Sequence, residues 1–180
     1  IAESWELSVR ADGQTYIDSG EHCGESLADV LRADPVGMAG ARCGIAPFPL
    51  LIKLIDAQKD LSVQVHPSDA AACREKGEQG KTEMWYIVDC EEGASLYYGF
   101  SREVSKEEFE ERIKNKTLLE VLNKVEVHKG DVLFIEPGTI HAIGKGNLIA
   151  EIQENSNVTY RVYDYGRKDA NGKERDLHIE

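Results

Sequence analysis

Gln64 and His66 stand two residues apart in the short segment 62–67, where they alternate with Val63 and Val65. In a β-strand, residues i and i+2 point to the same face, so this spacing places an amide oxygen and an imidazole side by side. Glu83 and His141, in two later segments, add a carboxylate and a second imidazole. Two histidines, a glutamate and a glutamine form a reasonable set of ligands for a divalent metal. The alternative is that each histidine is a hydrogen-bonded core residue, and spacing alone does not decide between the two interpretations.

The composition bounds the size of the protein and its partners. With 180 residues, 41% hydrophobic and 30% charged, the chain is long enough for one globular domain with a sizeable core. The net charge of -12 argues against a nucleic-acid partner and requires local positive charge wherever an anionic substrate binds. Because the sequence has no run of 18 apolar residues, we expect no transmembrane helix and no membrane partner.

The four cysteines show no close spacing of the kind that binds metals. Residues 1–5 do not resemble a signal peptide. We therefore expect Cys23, Cys43, Cys73 and Cys90 to be reduced, structural thiols of a cytoplasmic protein.

Most of the chain has the pattern of short strands separated by tight turns. This pattern, with few helices, predicts a mainly β fold of antiparallel strands, either a sandwich or a small barrel. The segment 47–56 is so strongly apolar that we expect a central strand buried on both faces. Strands are predicted at 4–10, 14–18, 47–56, 62–67, 83–90, 94–100, 125–128, 131–136, 140–144, 148–154, 158–165 and 176–179.

A first helix is indicated by Ser26 and Asp29, which form a capping-box pattern. This helix must end by Asp34, because Pro35 disfavours helical backbone in the residue before it. The three glycines of 35–46 then predict a long loop.

Two further helical regions interrupt the strands. A helix of about two turns is predicted over 69–76, after the Gln64 and His66 strand. A second capping box at Ser105 begins a small helical insert at about 105–123. We expect this insert to cap one end of a barrel structurally rather than to contact a substrate.

Three residues near the C-terminal half of the chain carry a family resemblance. Gly130, Gly138 and His141 have the spacing of the second conserved motif of cupin barrels, in which two turns and a strand place a histidine in the barrel mouth. The first cupin motif normally has His-x-His followed by Glu. The pair Gln64 and His66, followed by Glu83, is similar to that motif with one histidine replaced.

Longer segments make the resemblance specific. The sequence resembles the type I mannose-6-phosphate isomerases, in the short bacterial and archaeal form of the family, and looks like their catalytic cupin core without the opening segment and the C-terminal β domain. The motifs that carry the resemblance lie, in the family's order, at 48–57, 61–67, 80–86, 137–142, 151–156 and 159–165.

The resemblance implies a single cupin catalytic domain over 1–180, a jelly-roll antiparallel barrel with a few short helices. It also implies one Zn²⁺ per chain, bound by Gln64, His66, Glu83 and His141. The reaction implied is the conversion of mannose 6-phosphate and fructose 6-phosphate through a cis-enediol. A small sugar phosphate is then the partner, and the protein is a monomer or a homodimer.

The resemblance further implies catalytic roles for three residues. Glu151 and Lys81 are the two candidates for the proton-transfer base, while Arg161 stabilises developing negative charge. Lys81, Arg161, Ser62 and Thr82 are expected to contact the substrate. Without the family, Lys81 would be read as a solvated loop residue, and Glu151 with Arg161 as an ordinary cross-strand ion pair.

Three functions compete at this point. The leading one is a zinc-dependent sugar-phosphate isomerase, and the second is a non-catalytic cupin that binds a sugar phosphate as a sensor or regulator. A third is an Fe(II) dioxygenase, against which Gln64 argues, because those enzymes use two histidines and one carboxylate. Trp85 and Tyr86 are expected to be core residues, and His22, His128 and His178 to have no catalytic role.

Overall fold

The computed structural model describes residues 2–41, 48–76, 79–168 and 171–179, and for residues 73–76 only the backbone. The strands of the described residues are β1 (Ala2–Leu7), β2 (Val9–Arg10), β3 (Gly13–Gln14), β4 (Leu50–Ala57), β5 (Val63–Val65), β6 (Glu83–Cys90), β7 (Ser95–Phe100), β8 (Leu122–Glu126), β9 (Val132–Ile135), β10 (His141–Ile143), β11 (Asn147–Glu154) and β12 (Tyr160–Tyr163). The helices are α1 (Leu27–Ala33), α2 (Pro35–Ala39), α3 (Asp69–Lys76), α4 (Lys106–Lys114) and a 3-10 helix, Leu118–Val121.

Two five-stranded sheets with antiparallel pairing form the body of the molecule. The first sheet has the order β1-β4-β11-β6-β9 and the second the order β12-β5-β10-β7-β8, with β2 and β3 as a separate hairpin. The predicted strand at 4–10 is therefore divided into β1 and β2, and the one at 14–18 is reduced to β3. The result is a mainly β fold with short helices, as the sequence predicts.

The interior between the two sheets is apolar at one end. Ile55, Ile87 and Ile149 come from three neighbouring strands of the first sheet and pack against Leu96 and Ile143 of the second. Each of these side chains is at most 4% exposed. Burial of one such side chain contributes about 1.5–3 kcal/mol, so this cluster holds the two sheets together.

The same strands carry polar side chains at the other end of the interior. In β11, the buried positions alternate with half-buried ones, and the buried series passes from Ile149 to Glu151 and Gln153. Lys53 of β4 and Glu83 of β6 are buried in the same way and pair with β11 in register. The polar end of the interior is therefore built from regular strand positions rather than from loops.

The helical insert packs on the outer face of the second sheet. Ile113 of α4 and Leu118 of the 3-10 helix are buried against Val63 and Val162. These two valines alternate with residues that face the interior, so the insert lies on the opposite side of the sheet from the polar end. Ser105 caps α4 as predicted, its hydroxyl accepting a hydrogen bond from the backbone N–H of Glu108.

Two predictions about local structure are wrong in the region before β5. The segment predicted as a loop from residue 35 begins with α2, because Asp34 accepts a hydrogen bond from the Gly37 N–H and Pro35 occupies the first turn. The predicted central strand is β4, but Leu54 is 37% exposed, so its faces alternate instead of both being buried. Residues 42–47, which include Cys43 and the start of that predicted strand, lie outside the described residues.

The outer face of the first sheet carries exposed apolar side chains. Tyr86, Val132 and Phe134 are 41%, 58% and 56% exposed, respectively. Tyr86 is thus not the core residue that the sequence predicts, because it points away from the interior on β6. Its neighbour Trp85 points inward and is fully buried, as predicted.

The described cysteines with side chains in the structure are free thiols. Cys23 is exposed and Cys90 is half-buried, while Cys43 and the side chain of Cys73 lie outside the described residues. Among the helices of the described residues, none has the length and apolar character needed to cross a membrane.

Candidate active site

The polar end of the interior brings together His66, Glu83 and His141. Glu83 begins β6, His141 begins β10, and His66 follows β5 by one residue. Each is at most 1% exposed. One ligand atom from each of the three lies within 4.8 Å of the others. The structure therefore joins three residues that the sequence places in three separate segments.

Gln64 lies beside this cluster through β-pairing. It is directly opposite His141 in the antiparallel pair of β5 and β10. Side chains that are directly opposite share a face and have Cβ atoms about 4.5–5.5 Å apart. Gln64 is half-buried and faces the same interior as the two histidines and Glu83.

Backbone carbonyls set the tautomers of the two histidines. Nδ1 of His66 lies 3.1 Å from the carbonyl oxygen of Val158, and Nδ1 of His141 lies 2.8 Å from that of Thr139. A carbonyl oxygen only accepts hydrogen bonds, so each Nδ1 donates and each Nε2 carries a lone pair. Burial lowers the pKa of both histidines, that of His141 to about 4, so both rings are neutral at pH 7.

Because the rings of His66 and His141 are neutral, the carboxylate of Glu83 faces the lone pairs of their Nε2 atoms. Nε2 of His66 lies 3.3 Å from Oε1 of Glu83, and Nε2 of His141 lies 3.6 Å from Oε2. Neither pair is a salt bridge or a hydrogen bond, because both atoms of each pair are acceptors. Among the described residues, both carboxylate oxygens and Nε2 of His141 are buried without a hydrogen-bond partner.

This arrangement fits a bound cation. Buried polar atoms without partners are rare and costly, and three of them converge here on one point. Imidazole nitrogens and a carboxylate oxygen are the donors that Zn²⁺ takes in proteins. A hydrogen bond from each Nδ1 to a carbonyl is also the usual support of a metal-binding histidine. His66, Glu83 and His141 can therefore hold a divalent metal, and Gln64 is placed to add an amide oxygen.

Lys81 is buried against the same carboxylate. Its Nζ lies 2.8 Å from Oε1 of Glu83 and 3.5 Å from Nε2 of His66. The contact between Nζ of Lys81 and Oε1 of Glu83 is an ion pair without the geometry of a hydrogen bond. Oε1 of Glu83 therefore has no hydrogen-bond donor among the described residues. Burial alone would lower the pKa of Lys81, but the contact with Glu83 and the nearby charges of Glu151 and Glu3 together outweigh burial and raise the pKa.

A close backbone approach holds Lys81 in this place. The Lys81 N–H donates to the Pro67 carbonyl at 3.1 Å, and a Cβ on Gly80 would meet the backbone nitrogen of Asp69 at 2.5 Å. Only glycine fits there. The interpretation of Lys81 as a solvated loop residue is therefore wrong, since the side chain is 4% exposed.

Glu151 lies deeper in the interior, opposite Trp85 on the neighbouring strand. Its Oε2 accepts a hydrogen bond from the Trp85 indole at 3.0 Å, and its Oε1 lies 3.7 Å from Nζ of Lys53. Burial, together with the nearby charge of Glu83, raises the pKa of Glu151. The carboxylate is thus fixed in orientation.

Arg161 comes from the other sheet. It lies opposite Gln64 in the pairing of β12 with β5, and its Nε donates to the hydroxyl of Ser62 at 3.3 Å. A cross-strand ion pair between Arg161 and Glu151 is excluded, because the two residues belong to different sheets. The partner of Glu151 in an ion pair is Lys53.

Thr82 lies between the loop and β6. Its backbone N–H donates to the Oε2 of Glu154 at 2.7 Å, and its side chain is half-buried. Ser62 is 8% exposed. The structure therefore brings Ser62 into contact with Arg161. Thr82 is the residue between Lys81 and Glu83 in the sequence.

Lys53 and Gln153 are buried polar residues that received no predicted role. Lys53 lies between Glu151 and Glu3, 3.6 Å from the Oε1 of Glu3, with its ammonium 5.0 Å from the ring centre of Trp5. Gln153 is opposite Glu83 in register, and its Oε1 is buried without a hydrogen-bond partner among the described residues. The sequence signal that could have identified Lys53 is its position as a charged residue within the apolar run of β4.

Comparison of the chain with known proteins shows which proteins it is similar to. No family model matches the chain. Mannose-6-phosphate isomerase ManA of Bacillus subtilis is 44% identical over 178 residues, which are 98% of this chain and 56% of that protein. The crystal structure of the mannose 6-phosphate isomerase from Bacillus subtilis matches with a TM-score of 0.88 at 39% identity, over 98% of this chain and 56% of that one.

A more distant structure shares the fold alone. A mannose 6-phosphate isomerase described as the zinc-bound holo form matches with a TM-score of 0.65 at 15% identity, over 90% of this chain and 62% of that one. The chain spans about half the length of the Bacillus relatives that it matches. These likenesses confirm the predicted cupin-like antiparallel fold.

Proposed function

The chain belongs to the mannose-6-phosphate isomerase family over the residues that it spans, and on this premise we propose that it interconverts mannose 6-phosphate and fructose 6-phosphate. The observation that carries the proposal is the buried cluster of His66, Glu83 and His141, whose acceptor atoms converge beside Lys81. Glu151 and Arg161 face the same interior from the two sheets.

We propose that Gln64, His66, Glu83 and His141 hold one Zn²⁺ per chain. The support is the set of donor types, the two histidine tautomers and the unpartnered oxygens of Glu83. The zinc-bound state of a relative with the same fold agrees with this choice of metal. When bound, the ion supplies positive charge that polarises the sugar carbonyl and stabilises the negative charge of the reaction.

Glu151 is the residue that we propose as the base. From the aldose, the base removes the proton on C2, the electrons of that bond form a double bond between C1 and C2, and O1 gains a proton. In the second half, the base gives that proton to C1, where the electrons of the double bond form the new C–H bond, and O2 loses its proton as the C2–O2 bond becomes a carbonyl. A carboxylate has the lone pairs for this task, and the contacts with Trp85 and Lys53 hold it in one orientation.

Lys81 then acts as a fixed cation and not as the base. Its ammonium is committed to Glu83 at 2.8 Å, and an ammonium group donates hydrogen bonds but accepts none. With Arg161 it provides positive charge next to the sugar oxygens in a protein of net charge -12. The hydroxyls of Ser62 and Thr82 complete the proposed substrate contacts.

The test is turnover of mannose 6-phosphate measured together with the metal content of the same sample. We expect about one zinc per chain, loss of turnover on chelation, and recovery when zinc is restored. Turnover that survives complete removal of metal would contradict the metal site. A sample with full metal content and no turnover would overturn the isomerase proposal for this chain and favour a sensor that binds sugar phosphate.

A further inference from the structure

Gln153 lies in the interior beside the candidate metal site but has no part in the proposed reaction. It is directly opposite Glu83 in the pairing of β11 with β6, and it is 1% exposed. Side chains that are directly opposite on one face have Cβ atoms about 4.5–5.5 Å apart. The preceding interior position of the same strand is Glu151, the proposed base. The amide of Gln153 therefore adjoins both a proposed ligand and the proposed base.

The hydrogen bonds of Gln153 fix the orientation of its amide. Nε2 donates to the carbonyl of Glu154 at 2.9 Å and to that of Ser156 at 2.6 Å. A carbonyl oxygen only accepts, so the NH2 group lies at this end and both of its N–H groups are used. Oε1 is left buried without a hydrogen-bond partner among the described residues. An apolar side chain would avoid the cost of such an acceptor, so the favourable contribution of Gln153 comes from its two N–H groups.

The two carbonyls that Gln153 holds lie where the chain passes from the first sheet to the second. Residues 155–159, which we name the crossover turn, connect β11 to β12. The Ser156 N–H donates to the Glu154 carbonyl at 2.7 Å, which makes a tight three-residue bend. Gln153 binds the carbonyls at both ends of this bend and so fixes how the crossover turn leaves the sheet.

Ser156 extends this constraint to His66. It is fully buried, and its hydroxyl accepts a hydrogen bond from the Val158 N–H at 3.3 Å. The Val158 carbonyl in turn accepts from Nδ1 of His66 at 3.1 Å. Three successive contacts thus lead from the amide of Gln153 to the ring of a proposed metal ligand.

The same hydroxyl holds the loop that carries Lys81. Oγ of Ser156 donates to the Gln79 carbonyl at 2.8 Å, and Gln79 precedes Lys81 by two residues. Nζ of Lys81 lies 3.5 Å from Nε2 of His66. The crossover turn therefore contacts the His66 ring at Nδ1 and also holds the loop whose ammonium lies beside Nε2.

We propose that Gln153 is a positioning residue for the metal site: by holding the crossover turn, it keeps the Val158 carbonyl where it orients His66 with the Nε2 lone pair towards Glu83. This inference rests on the proposed function, in which His66 is a ligand. If the Val158 carbonyl moves, the other tautomer becomes favourable, because Nε2 can then carry the proton and donate to Oε1 of Glu83, 3.3 Å away. A protonated Nε2 cannot bind a metal.

Zinc binding tests the proposal without any turnover. In metal-free protein titrated with zinc against a competing chelator, we expect Gln153→Met to raise the Kd about tenfold, since losing the support of a ligating histidine typically costs roughly 10–100-fold. Ser156→Ala removes the next link and should have a similar effect, which also decides the matter if Gln153→Met does not fold. Ile149→Val, at the apolar end of β11, is the matched control and should keep the wild-type Kd. An unchanged Kd in the first two variants, or an equal rise in Ile149→Val, would overturn the proposal.

Nitrogen NMR of the metal-free protein separates positioning of His66 from a general loosening of the site. We expect both histidines of the wild type to be protonated at Nδ1, and His66 of Gln153→Met to populate the Nε2–H tautomer. His141 is the internal control, because the Thr139 carbonyl holds it from another segment. A change in both histidines, or in neither, would overturn the role of Gln153. A zinc affinity that depends on Gln153 in a protein without turnover would keep this role and overturn the isomerase proposal instead.

Discussion

At the scale of single residues, two backbone carbonyls decide what the candidate site can bind. Val158 and Thr139 accept from Nδ1 of His66 and His141, so both Nε2 atoms point their lone pairs at Glu83. If the tautomers were reversed, each Nε2 would donate to the carboxylate and the cluster would be a satisfied hydrogen-bond network. The acceptor-rich arrangement is what favours a cation.

The assignment of the base belongs to this scale. We expect Glu151→Gln to lower kcat by roughly 10²–10⁴-fold, because the amide keeps the shape and the hydrogen bond from Trp85 but cannot take up a proton. Metal content measured by mass spectrometry should stay at the wild-type value, since Glu151 is not a proposed ligand. Glu126→Gln, at an exposed position of β8, is the control. A kcat of Glu151→Gln within threefold of the wild type would contradict the assignment and pass the role to Lys81.

At the scale of elements, the edge strand β12 and residues 171–179, which we name the return segment, are joined by one carboxylate. Asp164 follows β12 and binds Arg175 of the return segment and Arg167 between them. Burial alone would raise the pKa of Asp164, but the hydrogen bonds from Arg175 and Arg167 outweigh it, and the pKa is lower than its usual value. The carboxylate is therefore charged wherever the protein is folded near neutral pH.

This lowered pKa predicts how stability depends on pH. We expect Asp164→Asn to lower the free energy of unfolding by about 1–2 kcal/mol at pH 7, a modest figure because both arginines are partly exposed. A carboxyl with a lower pKa in the folded state stabilises fully above its unfolded pKa of about 3.9 and loses this effect as the pH falls through the folded pKa. The difference between wild type and variant in urea unfolding should thus be constant from about pH 5 to 8 and shrink towards pH 3. A difference that grows on acidification would contradict this origin.

At the scale of the whole molecule, the barrel has one apolar end and one polar end. The apolar cluster around Ile55 and Ile149 supplies stability, while the polar end buries Lys53, Lys81, Glu83 and Glu151 at a cost in free energy. This many buried charges are tolerated because the charged groups pair with each other. The exceptions are the acceptor atoms of Glu83 and His141, which have no hydrogen-bond partner among the described residues. A bound metal would remove that remaining cost.

Metal should therefore stabilise the entire fold. We expect zinc, added to chelator-treated protein at a free concentration of 100 times its Kd, to increase the free energy of unfolding by about 2.7 kcal/mol. Scanning calorimetry would show this as a higher Tm. Glu83→Gln should show no zinc-dependent shift, because the central carboxylate is removed. An equal shift in that variant would mean that zinc binds elsewhere.

Much of the fold is encoded locally and could be predicted. Alternation with a period of two identified most strands, and the capping boxes at Ser26 and Ser105 identified two helix starts, because each signal depends on neighbours within a few residues. The failures have local causes as well. Asp34 and Pro35 mark the start of α2 within a segment whose glycines favour a loop, and the strongly apolar composition of β4 obscures the alternation of its exposed and buried faces.

The candidate site could also be predicted only in part from the sequence. Spacing and family motifs singled out Gln64, His66, Glu83 and His141 from the sequence by itself, because two residues apart in a strand means one shared face. Only the tertiary structure brought the atoms together, buried Lys81 and showed the tautomers. It also placed Lys53 beside Glu151 and Arg175 beside Asp164. These contacts join residues distant in sequence, and their geometry depends on how two sheets pack and where the chain returns, which no local pattern specifies.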